Sequence, residues 1–382
     1  MAPQCVVRRK GEQMSDPAAE VAALARDLVQ MDSRTLLSNT AIAERVEAAL
    51  GGFEVERLDF TDAAGTAKRV LVAHRGGTGG IAFSGHMDTV PDTGWQEDPW
   101  SGRVDADGVL HGLGSTDMKG PLAAAIIAAK GLPDGVPVSL VITTDEETTK
   151  QGAREIAARS DLVRRAKPRG ILVVEPTRMV PVRGHRSHIV FSAVALGVQA
   201  HSSAGIGRNA NWALLPFMME MRALYERLRD DPTLHDAAYA PPFSDFNMVI
   251  DNHGTAVNVT VPKATATIKF RYSAGVDPAP IVAAVRAAAE RTGVTVTAAT
   301  EGHPPELPAA HPLVALCVAE SGIEAGTAPF GTDASELQAI APCVVMGPGD
   351  IAEAHTPNEK VRLADLAAAV PVFQRVAMRP SA

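Results

Sequence analysis

The chain has 382 residues, 46% of them apolar and 21% charged, with 32 glycines and 27 prolines. That length leaves room for two or three domains with a sizeable core, and the balance excludes a disordered chain or a peptide-sized module. The formal charge of -8, from 36 basic and 44 acidic residues, repels nucleic acid and anionic membranes, so neither is an expected partner.

The stretch Met1 to Gln13 holds Arg8, Arg9 and Lys10 but no apolar run after them of signal-peptide length, and reads as a frayed extension. Ser15-Asp16-Pro17 reads as an N-cap and a first-turn proline. The spacing Val21, Leu24, Leu28, Met31 predicts a helix, and Ile42, Val46, Leu50 a second. Strands are expected over Phe53–Phe60, Val70–His74 and Ile81–Ser84, then a helix near Pro121–Lys130 and strands at Val138–Thr143 and Ile171–Val174. From Ser187 the pattern changes. A long alternating stretch to Gly197 is followed by a helix around Ala210–Leu228, strands near Phe246–Ile250 and Thr265–Tyr272, a helix Ile281–Arg291 and a strand Val294–Ala298. The first pattern then returns with a helix Leu313–Ser321, a buried strand Cys343–Met346 and a helix Leu363–Val376. The expected fold is therefore α/β, with a discontinuous main domain over 14–187 and 301–382 built on a mixed, largely parallel sheet, and an inserted α+β domain over 188–300. No window reaches the roughly 18 uncharged apolar residues of a membrane span. Cys5, Cys317 and Cys343 lack CxxC spacing, which argues against a disulfide framework or a cysteine metal site and fits the cytoplasm.

Polar residues gather where apolar strands end. His86 and Asp88 stand two apart after Phe83-Ser84-Gly85, so extended backbone turns both to one face; as strand-end residues they also suit an ordinary turn. Gly112 to Gly120 is a glycine-rich turn that delivers Asp117 before a helix, where it could equally act as a cap. Asp145, Glu146 and Glu147 end the strand Val138–Ile142. Such runs are often solvated, but three acids at a buried strand end repel one another unless a cation sits among them. Glu175 ends another apolar strand, and Glu353-Ala354-His355 follows Cys343–Met346. Two histidines and several carboxylates in one layer are the mixed N and O donors that zinc, cobalt or manganese accept. No GxSxG elbow and no HExxH helix is present to offer another hydrolytic route.

The segments SGHMDTVP, GLGSTDMKG, TTDEET, VVEPT and GPGDIAEAHTPNE, in that order, resemble the M20 family of dinuclear metallopeptidases and deacylases. The resemblance is nearest to its acetylornithine deacetylase branch, with desuccinylase and carboxypeptidase branches as relatives. It implies a dinuclear-metal catalytic domain with an inserted lid through which the chain forms a homodimer. It further implies that His86, Asp117 and Glu175 hold one ion, that Asp117, Glu147 and His355 hold the other, and that Asp117 bridges them. The two divalent ions would be zinc first, with cobalt or manganese as alternatives. Asp88 would hydrogen-bond His86, Glu146 would be the general base, and the peptide after Asp117 would be cis. In Gln199-Ala200-His201-Ser202-Ser203, His201 would reach across the dimer to the oxyanion. Asn258 and Arg271 would contact the substrate carboxylate, and Thr332, in Phe330–Ala334, would face the substrate. The chain departs from the family pattern at Lys269, Tyr272 and His185-Arg186-Ser187, residues that bear on substrate choice rather than on the metals.

The function this implies is removal of an acyl group, acetyl first, from a small-molecule N-acyl amino acid. A dipeptidase or carboxypeptidase, or a catabolic C–N hydrolase on an unusual substrate, are the alternatives. A dinucleotide site at Gly205-Ile206-Gly207-Arg208-Asn209-Ala210 fails for want of context, since the acids about 20 residues on, Glu226 or Asp230, lie on or at the end of one long helix. A non-catalytic homologue would have lost a ligand or the base, and all are present.

Overall fold

Continuous apolar segments fold as the buried middle of a sheet, because strands covered on both faces have no solvent side toward which to alternate. In the computed structural model, which describes residues 16–379, the first elements are α1 (Pro17–Val29), α2 (Thr40–Ala48), β1 (Glu54–Thr61), β2 (Ala67–Arg75), β3 (Ile81–His86), β4 (Arg103–Val104), β5 (Val109–His111) and α3 (Lys119–Lys130). Next come β6 (Val138–Thr143), α4 (Gln151–Arg159), α5 (Asp161–Ala166), β7 (Gly170–Pro176), β8 (Val182–His185), β9 (Ser187–Leu196), α6 (Ala210–Asp230), β10 (Asp245–Asp251), β11 (Lys263–Tyr272), α7 (Ala279–Thr292) and β12 (Thr295–Thr300). The chain closes with α8 (Pro312–Ser321), β13 (Gly326–Ala328), α9 (Ala334–Leu337), β14 (Cys343–Gly347), β15 (Lys360–Arg362) and α10 (Leu363–Met378). The expected N-terminal extension, with Cys5, lies outside the described residues.

Eight strands form one mixed sheet in the order β1-β2-β6-β3-β7-β14-β8-β13. At its centre β3 runs parallel to β6 and β7, and β14 parallel to β7, while β1 and β2 join one edge antiparallel. Every residue of β3, β6, β7 and β14 is buried. One face is covered by α1, α2, α3, α8 and α10, whose Leu24, Ile42, Ile126, Val314 and Phe373 share a core with Phe83 and Leu140. The other face packs Ile156, Val163 and Leu337 of α4, α5 and α9 against Val70, Val141 and Val173. The helix α3 is apolar on all sides and buried from Lys119 to Ala129, which suits a helix wedged between the sheet and two others.

A second, antiparallel sheet runs in the order β10-β11-β9-β12 and carries its own core. Phe191, Ile268 and Phe270 from the strands meet Leu214, Phe217 and Met221 of α6 and Ile281 and Val285 of α7. The order strand, helix, strand, strand, helix, strand is the one expected of this stretch. The chain enters this sheet at Ser187 and leaves it at Thr300 by neighbouring strands, with Thr300 opposite Ile189.

Five elements of the main layer, α4, α5, α9, β8 and β13, together with the small sheet β15-β5-β4, are additions to the expected pattern. The helix α4 (QGAREIAAR) buries only Gly152, Ala153 and Ile156, too narrow a stripe to announce a helix by periodicity. None of the described helices is long and apolar enough to cross a membrane.

Candidate metal centre

Open α/β sheets place their ligands beyond the C-terminal ends of parallel strands, and the polar clusters of this chain converge there. Strand β3 ends on His86, β6 runs into Thr144–Glu147, Glu175 lies near the end of β7, and β14 leads into the turn bearing His355. Asp117 arrives from the glycine-rich turn before α3. Gly114 has a φ of 83° and lies so near its neighbours that a Cβ would stand 2.8 Å from Thr89 Cγ2, so the turn closes only with glycine. Its backbone is held from the far side by the Glu359 carboxylate, which accepts the N–H groups of Gly114, Thr116 and Asp117 at 3.0, 2.8 and 2.9 Å. The Asp117–Met118 peptide is cis, as the resemblance implies.

Asp117 turns one oxygen toward each of two histidines. His86 Nε2 stands 3.1 Å from Asp117 Oδ1 and 3.8 Å from Glu175 Oε1, while His355 Nε2 stands 3.3 Å from Asp117 Oδ2 and 3.0 Å from Glu147 Oε2. Donor atoms lying within 4.8 Å of one another form two sets, His86 with Glu146 and Glu175, and His86 with Asp117 and Glu147. These sets differ from the expected triads: Glu146 is drawn into the first, and His355 meets the second by its pairwise contacts. Asp88 also acts differently from expectation. His86 Nδ1 donates to the Asp88 backbone carbonyl at 2.9 Å, with the carboxylate 3.6 Å away. The carboxylate instead accepts the backbone N–H groups of Glu146 and Glu147, both at 3.3 Å, and so holds the two-acid turn. The reason is local: the carbonyl two residues on lies nearer the ring than the side chain does.

The electrostatics are those of several acids buried close together. Burial raises Glu146 and Glu175 well above the usual carboxylate range, and it also raises Glu147; the Asp117 charge adds to the shift of Glu175 and Glu147. His86 is raised well above the ordinary histidine value although burial opposes it, through its bond to Asp117 and the charges of Glu175 and Asp88. His355 is pushed up to about 11 by its bonds to Asp117 and Glu147. Glu146 Oε1 is buried without a hydrogen-bond partner. Imidazole and carboxylate donors packed this closely fit divalent metal ions of borderline softness.

Three supports of this cluster have no role in the sequence reading. Asp145, held at φ 61°, is clasped by the fully buried Lys68, whose Nζ reaches its carboxylate at 2.6 Å. Lys150 lies 3.8 Å from Glu146 Oε1 and 2.6 Å from Glu301 Oε2, and Glu301 in turn holds His188 Nδ1 at 2.9 Å. Glu359 is the third. The run Asp145-Glu146-Glu147 and the closing acid of AHTPNE were visible signals for two of the groups, whereas Lys68 and Lys150 stand in no motif.

The remaining expected site residues are scattered. Thr332 does not face an open cleft: it is 1% exposed, and its hydroxyl is engaged with His185 Nε2 at 2.9 Å. Arg271 lies on β11 opposite His188 and binds Asp245 at 2.8 Å. His201 and Asn258 are exposed and adjacent, with Ser202 N–H donating to the Asn258 carbonyl at 3.0 Å. They lie beyond the opposite end of the second sheet. The ten residues of β9 separate the two ends, about 30 Å at the usual rise per strand residue.

The pattern described as Peptidase family M20/M25/M40 matches residues 82–379. An acetylornithine deacetylase from Myxococcus xanthus is 30% identical over 391 residues, covering 95% of this chain and 98% of that protein. A tripeptidase from Staphylococcus aureus superposes with a TM-score of 0.70 at 20% identity, over 95% of this chain and 99% of its own. The di-peptidase Dug1p from Saccharomyces cerevisiae does so with a TM-score of 0.72 at 14% identity, over 95% and 98% of the two chains.

Proposed function

From the premise that the chain belongs to the M20/M25/M40 peptidase family of metal-dependent amide hydrolases, we propose that it removes an acyl group, acetyl first, from an N-acyl amino acid. The observation that carries this reading is the posture of Asp117, with one oxygen toward each histidine, beside Glu146 Oε1, which is buried without a hydrogen bond. His86 and Glu175 on one side and Glu147 and His355 on the other, with Asp117 between, would hold two divalent ions, zinc first and cobalt or manganese as alternatives. When bound, such a pair would polarise an amide carbonyl and make an attacking water more acidic at neutral pH. Glu146 Oε1 takes the proton of the attacking water and returns it to the departing amide nitrogen. Burial makes Glu146 the stronger proton acceptor for that work, and the nearby Lys150 favours its ionised form.

The working unit in this reading is a homodimer formed through the second sheet. His201 and Asn258 lie far from the Arg271 end of their own chain, so a second copy is the natural source of an oxyanion donor and a carboxylate contact. Two further features support it. Trp212, Leu215 and Met219 make an exposed apolar stripe on α6, at 73%, 42% and 66% exposure, and β10 leaves an open sheet edge with Val249 and Ile250 exposed. Cys317 and Cys343 are buried thiols without a disulfide, which suits a reducing cytoplasmic setting.

The test is amine release by metal-replete protein from N-acetyl-L-ornithine, other N-acetyl and N-succinyl amino acids and dipeptides, each with a chelator control. Chelator-sensitive release from an acyl amino acid is the expected result. Release from dipeptides alone would move the assignment to a peptidase, and none at all, with metals bound, would overturn the reading.

A further inference from the structure

The second sheet is covered by helices on one face only. On β11, Ile268, Phe270 and Tyr272 point into the core beneath α6 and α7, so Lys269 and Arg271, which alternate with them, occupy the other face. Lys269 lies opposite Val190 of β9 and Asn247 of β10, one step along its own face from Arg271. This is the end of the sheet at which the chain crosses to the catalytic layer. Glu301, just past the crossing, meets Lys150 at 2.6 Å, and Lys150 lies 3.8 Å from the proposed base Glu146. Lys269 stands within electrostatic reach of Arg271, Glu301, Lys150 and Glu146, at the junction of the bare sheet face with the metal cluster.

The cations at this junction differ in one respect. Arg271 binds Asp245 at 2.8 Å and Lys150 binds Glu301, whereas Lys269, among the described residues, forms neither a hydrogen bond nor an ion pair. Burial first, and then the Arg271 charge, lower its pKa. A half-buried ammonium beside a guanidinium, with no anion of its own, is an unfavourable arrangement that an incoming carboxylate would relieve.

We propose that Lys269 determines specificity by receiving a second carboxylate of the substrate, so that the preferred N-acyl amino acid carries two negative charges. The inference rests on the amide-hydrolase reading above and narrows its substrate class. The second charge belongs either to an acidic amino-acid side chain or to a dicarboxylic acyl group; both present the same carboxylate. A cationic side chain such as that of ornithine is repelled by Lys269 and Arg271 together.

Two matched pairs distinguish the sources. N-acetyl-L-glutamate is compared with its neutral isostere N-acetyl-L-glutamine, and N-succinyl-L-alanine with N-butanoyl-L-alanine, with N-acetyl-L-ornithine as the cationic reference. The wild-type protein is expected to favour the charged member of one pair by at least about tenfold in kcat/KM, the scale of one charge-assisted hydrogen bond. In Lys269→Met that ratio should fall to within about twofold of unity, mainly through KM, and Lys269→Arg should restore most of it. Metal content and melting temperature report that each variant is folded. Preference for the neutral member of both pairs, preference for N-acetyl-L-ornithine, or an equal loss on charged and neutral members in Lys269→Met would each overturn the proposal. Those outcomes leave the hydrolase reading standing. Chelator-sensitive release from no acyl amino acid would instead remove the reading on which the proposal rests.

Discussion

At the scale of single residues, the turn Asp145–Glu147 is held by its neighbours, with Lys68 on the Asp145 carboxylate and Asp88 on the backbone N–H groups of Glu146 and Glu147. Glu146→Gln keeps the shape of the base and removes its basicity. Turnover should fall by roughly 10² to 10⁴, the usual share of a general base, with metal content unchanged by elemental analysis. Near-normal rates would remove Glu146 from that role. Lys68→Met leaves the Asp145 carboxylate buried without its cation, and breaking a buried pair in this way costs about 3–5 kcal/mol. Chemical denaturation should register the loss. If stability is unchanged, the turn does not depend on that pair. The chain displayed its candidate ligands because strand-end acids and histidines are out of place beside apolar runs, and His86, Asp117, Glu146, Glu147, Glu175 and His355 do converge. It concealed Lys68 and Lys150, because a buried lysine has no periodicity and its partner is far away in sequence. Nor could the spacing of His86 and Asp88 show that a backbone carbonyl, rather than the carboxylate, receives the ring proton.

At the scale of elements, the crossing between the two sheets is clamped by a chain of charges. Lys150, the residue preceding α4, binds Glu301, just after β12, and Glu301 binds both the ring and the backbone N–H of His188 on β9. Although burial opposes it, the bonds to His188 and Lys150 hold Glu301 at about 2, below its ordinary 4.5. A depressed carboxylate stabilises the fold above the unfolded-state value, and that stabilisation disappears as pH falls through the folded-state value. The clamp should therefore be intact above about pH 5 and disappear toward pH 2. Glu301→Gln should be less stable than wild type by on the order of 2 kcal/mol at neutral pH. The gap in melting temperature should close as the pH falls. A gap independent of pH would mean that the residue acts through packing alone. The elements themselves were legible where they were long. The buried strands β6 and β14 and the helices α3, α6, α7 and α10 lie where apolar runs or helical spacing put them. The short strands β8 and β13 lie outside that reading, because three or four residues cannot establish a period.

At the scale of the whole molecule, the proposed dimer makes a prediction that stability cannot mimic. Heterodimers of a Glu146→Gln chain with a His201→Ala chain should regain activity at one site in two, because one site then holds an intact base and receives an intact histidine across the interface. Mixed subunits without activity would confine His201 to its own chain. Placing acids on the α6 stripe, as in Trp212→Glu with Met219→Glu, should yield monomers that bind metal and turn over poorly, as read by light scattering and amine release. The discontinuous layout was legible because alternating β and α segments give way near Ser187 to an antiparallel pattern and then return. What no single-chain pattern could show is that His201 and Asn258 sit together, about 30 Å of strand from the Arg271 end.

The neighbouring positions of β9 and β12 have a consequence for how such a molecule diversifies. Because Ile189 and Thr300 face each other across one rung of a ladder, everything between them leaves and rejoins the main layer through a single doorway. A segment tethered in this way is a cassette: it can be exchanged for another of different length without moving the strands that carry His86, Glu146 or Glu175. Lys269 travels with that cassette and the candidate metal donors stay behind, so on the proposed roles substrate choice and bond-breaking chemistry are heritable separately.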